Sequence, residues 1–151
     1  MRPDWQALFA PLPRDAEVRI RPVLSAELAG NPESAAIAGW ESVTVDLSAG
    51  AAGSRHVMVT LDANGVPISA SDWVLHSGGE PREYVHENVG GRIELDGTFR
   101  GTRWRTVMVE VPDSDEPLPR ETVRSDPTPE DIAGLMRVVR ELLSRAGKKG
   151  S

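Results

Sequence analysis

Through the middle of the chain, apolar and polar residues alternate with a period of two, the mark of strands buried on one face. Val18 and Ile20 against Arg19 and Arg21 predict a first strand within 16–24, which Pro22 ends or confines to an edge. Further strands are predicted at 41–47, 55–61, roughly 66–76 and 83–89, and a long one from Phe99 to Val111. Asp62-Ala63-Asn64-Gly65 suits a type I turn closed by a left-handed glycine, and Asp96-Gly97 turns a last hairpin. Gly90-Gly91 reads as a bulge. Helical spacing is confined to the flanks. Trp5, Leu8 and Phe9 predict one helical turn, stopped by Pro11 and Pro13. Two short helices are expected after the first strand. Ser25 caps Ala26–Ala29, and Asn31-Pro32-Glu33 opens a second that runs through Ala38. The final helix spans 129–146, with Thr128 as N-cap, Pro129 at the first turn and Asp131 three residues after the cap. Its apolar stripe is Ile132, Leu135, Met136, Val139, Leu142 and Leu143, and Gly147 is its stop.

Because strand side chains alternate, the hairpins fix which residues share a face. A three-residue loop within Glu94–Thr98 pairs Glu94 with Thr98 and Ile93 with Phe99. Counting back places Val89 opposite Arg103, Asn88 opposite Trp104, His86 opposite Thr106, Val85 opposite Val107 and Tyr84 opposite Met108. One face then collects Val43, Val45, Leu47, Val57, Val59, Leu61, Trp73, Leu75, Val85, Val107, Val109 and Val111, a surface suited to the last helix. The reverse face collects Thr44, Asp46, His56, Met58, Thr60, Asp72, His76, Tyr84, His86, Trp104, Thr106 and Met108. Met, Trp and Tyr mixed with His, Asp and Thr resemble the lining of a ligand cavity more than a plain core.

Composition narrows the classes. At 151 residues the chain has the length of one domain: a segment 1–15, a single α+β domain over 16–147, and a tail 148–151. Pro112, Pro117, Pro119 and Pro127 among acids make 112–127 an extended connector to the last helix. With 39% hydrophobic and 26% charged residues, the chain is too apolar for intrinsic disorder. Absence of cysteine excludes disulfides and every thiolate ligand or nucleophile. A formal charge of −6 argues against a broad nucleic-acid or membrane surface, and no apolar run approaches a membrane span or a secretion signal. A cytoplasmic protein is therefore expected, with neither nucleic acid nor membrane as partner.

What chemistry remains falls to the three histidines. His86 with Asp72 as orienter and Tyr84 as donor would make an acid–base dyad, and these three are the candidate catalytic residues. Trp104, Met58, Met108, His56, His76 and Thr106 are the candidate ligand-binding residues. His76, His86 and Asp72 are the residue types of a two-histidine, one-carboxylate triad, but no diagnostic spacing accompanies them, so no metal or cofactor is assigned. Gly-rich phosphate loops leading into a helix are absent, as is a nucleophile elbow. Arg92, Arg100, Arg103 and Arg105 gather around Trp104, with Glu83, Glu87, Glu94 and Glu110 on facing strands to pair with them.

The order of elements is strand, two short helices, β-meander and long final helix. It resembles the helix-grip arrangement of START and Bet v 1-like proteins, in which a curved antiparallel sheet wraps a long C-terminal helix. The resemblance covers most of the chain as an order of elements, and it implies binding of a hydrophobic ligand. A closed barrel with the helix outside is the alternative architecture. Two functions follow: a small-molecule-binding protein with scope for acid–base catalysis, or a non-enzymatic accessory protein whose mixed face meets a partner or a second copy in a homodimer.

Overall fold

Alternation of small β-branched and polar residues builds one antiparallel sheet in which sequence order is also spatial order. The computed structural model describes residues 12–24, 32–48, 54–78, 83–113, 116 and 118–149. The expected turn around Trp5 and the expected helix over Ala26–Ala29 lie outside them. Seven strands, β1 (Arg19–Pro22), β2 (Glu41–Ser48), β3 (Ser54–Leu61), β4 (Pro67–Gly78), β5 (Glu83–Ile93), β6 (Phe99–Val109) and β7 (Leu118–Ser125), pair only with their chain neighbours. A 3-10 helix, Pro32–Ile37, stands where the second short helix was expected. The sheet is open, with β1 and β7 at its edges, so the barrel alternative does not form. Neither edge is suited to closing one: β1 stops at Pro22 after four residues, and β7 carries Pro119, Arg120, Glu121 and Arg124.

The helix α1 (Pro129–Lys149) covers one face. Its 21 residues make it about 32 Å long. The capping box reads as predicted: the Asp131 N–H donates to Thr128 Oγ1 at 3.1 Å, and the Thr128 N–H donates to Asp131 Oδ2 at 3.0 Å. Gly147 does not end the helix; only Gly39, Gly65 and Gly97 adopt positive φ among the described residues, and α1 continues to Lys149. Leu135, Val138, Val139, Leu142 and Ala146 are buried against Val43, Val45, Val57, Val59, Ala70, Val74, Val89 and Ile93. Burying each of the larger side chains contributes on the order of 2 kcal/mol. The far end of α1 also holds the incoming chain: Arg145 donates to the carbonyls of Leu12 and Pro13, both at 2.8 Å, while Leu12 and Val18 enter the core.

The β5–β6 register is the predicted one throughout, from Tyr84↔Met108 to Ile93↔Phe99. Gly90-Gly91 is therefore not a bulge in that ladder. Instead Gly91 faces Gly101, and a Cβ on Gly91 would run into the Arg100 carbonyl, so this close approach admits no side chain.

The irregularity falls one hairpin earlier. At the Asp62–Gly65 turn, Leu61 pairs with Pro67, but Thr60 already pairs with Ser69, a shift of one residue. Proline has no N–H to give the ladder, and the chain slips beside it. From there on β4 is inverted relative to simple counting: Ala70, Asp72 and Val74 lie on the helix face, and Trp73 and Leu75 on the other. A second correction concerns 112–127. Leu118–Ser125 is a strand, paired to β6 from Val109↔Leu118 to Arg103↔Ser125 with a shift at Val107/Met108. Its prolines and charges hid it; all eight residues are exposed, as an edge strand allows.

Candidate functional site

Among the described residues the sheet has one face covered by α1 and one left uncovered, and both hold polar side chains. On the covered face Asp72 is fully buried, and Arg55 grips it twice, Nε to Oδ1 at 3.1 Å and Nη2 to Oδ2 at 2.7 Å. Burial pushes the Asp72 carboxyl up to about 7 even though Arg55 pulls it down. Glu87, also buried, stands opposite Arg105 in the ladder and meets its Nε at 3.5 Å. Burial raises its carboxyl too, with Arg105 and Arg103 acting against the shift. Asp72 and Glu87 thus form a buried ionic layer on the covered face of the sheet, from which Arg105 reaches out to solvent.

Asp72 is thus not beside His86. The β4 shift places the carboxylate on the helix face, whereas His86 follows the opposite parity of β5. The expected His86–Asp72 pairing is not formed. His76 pairs with Val85 in the β4–β5 ladder, and its side chain lies outside the described part of the structure.

On the uncovered face, a row of side chains crosses all seven strands. Arg19 of β1 reaches Asp46 of β2 at 3.5 Å. The Asp46 carboxylate is hydrogen-bonded to Nδ1 of His56 on β3. The His56 ring lies 5.1 Å from that of Trp73 on β4, which stacks on His86 of β5 at 6.2 Å and 18°. His86 stands opposite Thr106 of β6, whose Oγ1 is 3.4 Å from Thr122 Oγ1 on β7. With Nδ1 engaged by a carboxylate, His56 keeps Nε2 as its free ring nitrogen, the arrangement of a base held by an orienter. The carboxylate–imidazole pair of this face is Asp46–His56. Both residues are among those assigned to one face by alternation, but their pairing was not proposed.

Further along the same strands the face deepens into a groove of about 940 Å³. Its walls are the end of β1 and the residue after it (Arg21, Pro22, Val23), Ile37 at the end of the 3-10 helix, Trp40 just before β2, and Ile68 and Arg92; Met58, Thr60, Ser69 and Gly91 also line it. A smaller hollow of about 270 Å³ adjoins it, lined by Ser71, Asn88, Gly90 and Trp104 and sharing Met58, Ser69 and Gly91 with the groove. Small residues make this depression. A Cβ on Gly90 would stand 3.1 Å from that of Ser71 and 3.3 Å from Asn88 Oδ1.

Of the sequence-derived candidates, Met58 and Trp104 line these cavities. His56 and His86 belong to the row beside them, with Thr106 opposite His86. Tyr84 and Met108 face each other across β5 and β6, farther along the same face. Of these seven, Met58 is the most open at 36% exposed, and the other six are half-buried. Arg21, Trp40, Ile68 and Arg92 were not among the candidates: Trp40 and Ile68 sit in a connection and at a strand end where alternation assigns no face, Arg21 reads as the polar side of an edge strand, and Arg92 as one of the arginines paired with facing glutamates. Among the described residues no cluster of three His, Asp or Glu side chains could hold a metal ion, and no helix is long and apolar enough to cross a membrane. No family profile, curated protein or solved structure matches the chain.

Proposed function

We propose that the protein binds a small molecule on the uncovered face of its sheet. The observation that carries this reading is the groove of about 940 Å³, within the size range of ligand sites, in which Ile37, Trp40, Met58 and Ile68 offer apolar contact beside a few polar groups. A face serving only solvation has no need of a tryptophan, a methionine and two isoleucines around one depression. Proton transfer on a bound molecule falls to His56, oriented by Asp46, rather than to His86, whose ring contact is Trp73.

The test is titration with the neutral fluorophore N-phenyl-naphthylamine. Saturable one-to-one binding is expected, reduced at least tenfold by Met58→Glu, which puts a charge at the junction of groove and hollow. Binding that does not saturate, or that Met58→Glu leaves unchanged, refutes the reading. A second reading, a protein partner or second copy seated on this face, is favoured by its breadth: Trp73, Tyr84 and Met108 extend the apolar surface beyond the cavities.

A further inference from the structure

The groove runs across the strands rather than along them. Arg21 of β1, Ser42 of β2, Thr60 of β3, Ser69 of β4 and Arg92 of β5 stand opposite one another in successive ladders, and all five line it. They form one row with an arginine at each end and three hydroxyl residues between. Four strand spacings separate the two ends, about 19 Å. Arg21 and Arg92 are both exposed, and neither has an ion-pair partner among the described residues. Apolar contact is concentrated between them, at Trp40 just before β2, Met58 on β3 and Ile68 on β4. The one carboxylate on the lining, Asp62, follows β3, the middle strand of the five, and its Oδ1 accepts from the backbone N–H groups of Asn64 and Val66. The cations therefore stand apart at the two ends, and the acidic group stands near the middle.

From this row, and resting on the ligand-binding reading above, we propose that the ligand is an elongated molecule with an anionic group at each end, lying across the strands. One carboxylate, or another oxyanion of similar size, pairs with Arg21 and the other with Arg92, each guanidinium presenting a fork that matches it. The body between them packs on Trp40, Met58 and Ile68, and the hydroxyls of Ser42, Thr60 and Ser69 offer hydrogen bonds to any oxygen it carries. Asp62 opposes a negative charge placed at mid-body, so the groove selects the position of charge as well as its sign. The span matters because salt screens exposed charges beyond about 8 Å. At about 19 Å the two arginines act independently, and only a ligand long enough to touch both gains from both.

Four ligands test this by calorimetry: hexadecanedioate, octanedioate and the monomethyl ester of each. Comparing each diacid with its own ester isolates the second carboxylate from the apolar contribution of chain length. At sixteen carbons the second carboxylate is expected to tighten binding about tenfold, the worth of one charge-assisted hydrogen-bond pair. At eight carbons, too short to reach both arginines, it is expected to add nothing. Arg21→Gln and Arg92→Gln, both at exposed positions, should each erase the gain at sixteen carbons. The sixteen-carbon ester should keep its affinity within about threefold in either variant, because the other arginine remains. Arg100→Gln, next in the row but off the groove lining, should leave the gain intact. A second carboxylate that adds equally at both lengths or at neither, or a gain that survives both groove variants, overturns the two-ended ligand; saturable binding of the neutral fluorophore would then leave small-molecule binding standing. No binding by any of the four, together with no saturable binding of the fluorophore, overturns both.

Discussion

Replacing Arg55 by Met tests the ionic layer beneath α1, because the cost of the change depends on pH. Asp72 is fully buried and Arg55 nearly so, its side chain 12% exposed. Above pH 7 the Asp72 carboxyl is charged, and removing the guanidinium leaves that charge without its bidentate partner. Losses of this kind amount to about 3–5 kcal/mol. At pH 5 the carboxyl is protonated in the native state, its value lying at about 7, and the loss falls to that of an ordinary hydrogen bond, about 1 kcal/mol. The wild-type curve has a definite sign. The native state holds this proton more tightly than the unfolded chain, whose aspartate titrates near 3.8. Relative to Asp72→Asn, wild-type stability is therefore greatest below pH 4 and falls by roughly 1 kcal/mol per pH unit up to pH 7, then levels. Urea unfolding followed by tryptophan fluorescence at pH 5 and pH 8 measures both effects. The double variant Arg55→Met/Asp72→Leu should recover most of the pH 8 loss, since it removes both charges and fills the space with apolar atoms. An Arg55→Met penalty equal at the two pH values, or a double variant no better than the single one, would refute this account of the layer.

Leu135, fully buried at the centre of the helix–sheet contact, should cost about 3–5 kcal/mol when cut to Ala, whereas His86→Ala should cost less than half as much and leave urea cooperativity intact. Equal destabilisation by the two would make His86 a structural residue. If the uncovered face instead seats a second copy, sedimentation velocity will show a concentration-dependent dimer that Trp104→Ala weakens. A monomer at high concentration removes that reading.

Legibility in the sequence tracked how locally each feature is determined. The hairpin at Asp96-Gly97 specified the β5–β6 register residue by residue, because a short loop leaves few pairings and a wrong one strands Phe99 beside Glu94. In the hairpin before it the shift at Thr60/Leu61 is invisible to periodicity, since Pro67 sits at the first position of a strand where proline is ordinarily harmless. That single residue moved Asp72 from the face of His86 to the face of α1. The strand β7 was concealed for a different reason: with both faces exposed it needs no apolar alternation, and Pro119 and its charges read as a linker. Seven of the nine candidate site residues share the uncovered face, because alternation governs them directly. The groove's own walls, Arg21, Trp40 and Arg92, depend on how β1 and the 3-10 segment fold over the sheet, and nothing local encodes that.

A meander whose spatial order repeats its sequence order has a consequence for how the molecule comes into being. Each strand can join its predecessor as it leaves the ribosome, with no long loop to close, which favours rapid pairing. The valines of β2 and β3, however, gain the helix that buries them only when α1, which follows all seven strands, has been made. Through most of synthesis the growing sheet therefore shows water an apolar surface on its valine side. The nascent chain is sticky on the side that the finished protein hides, and a chaperone holding it would be expected to grip the valine face and to let go when the helix arrives.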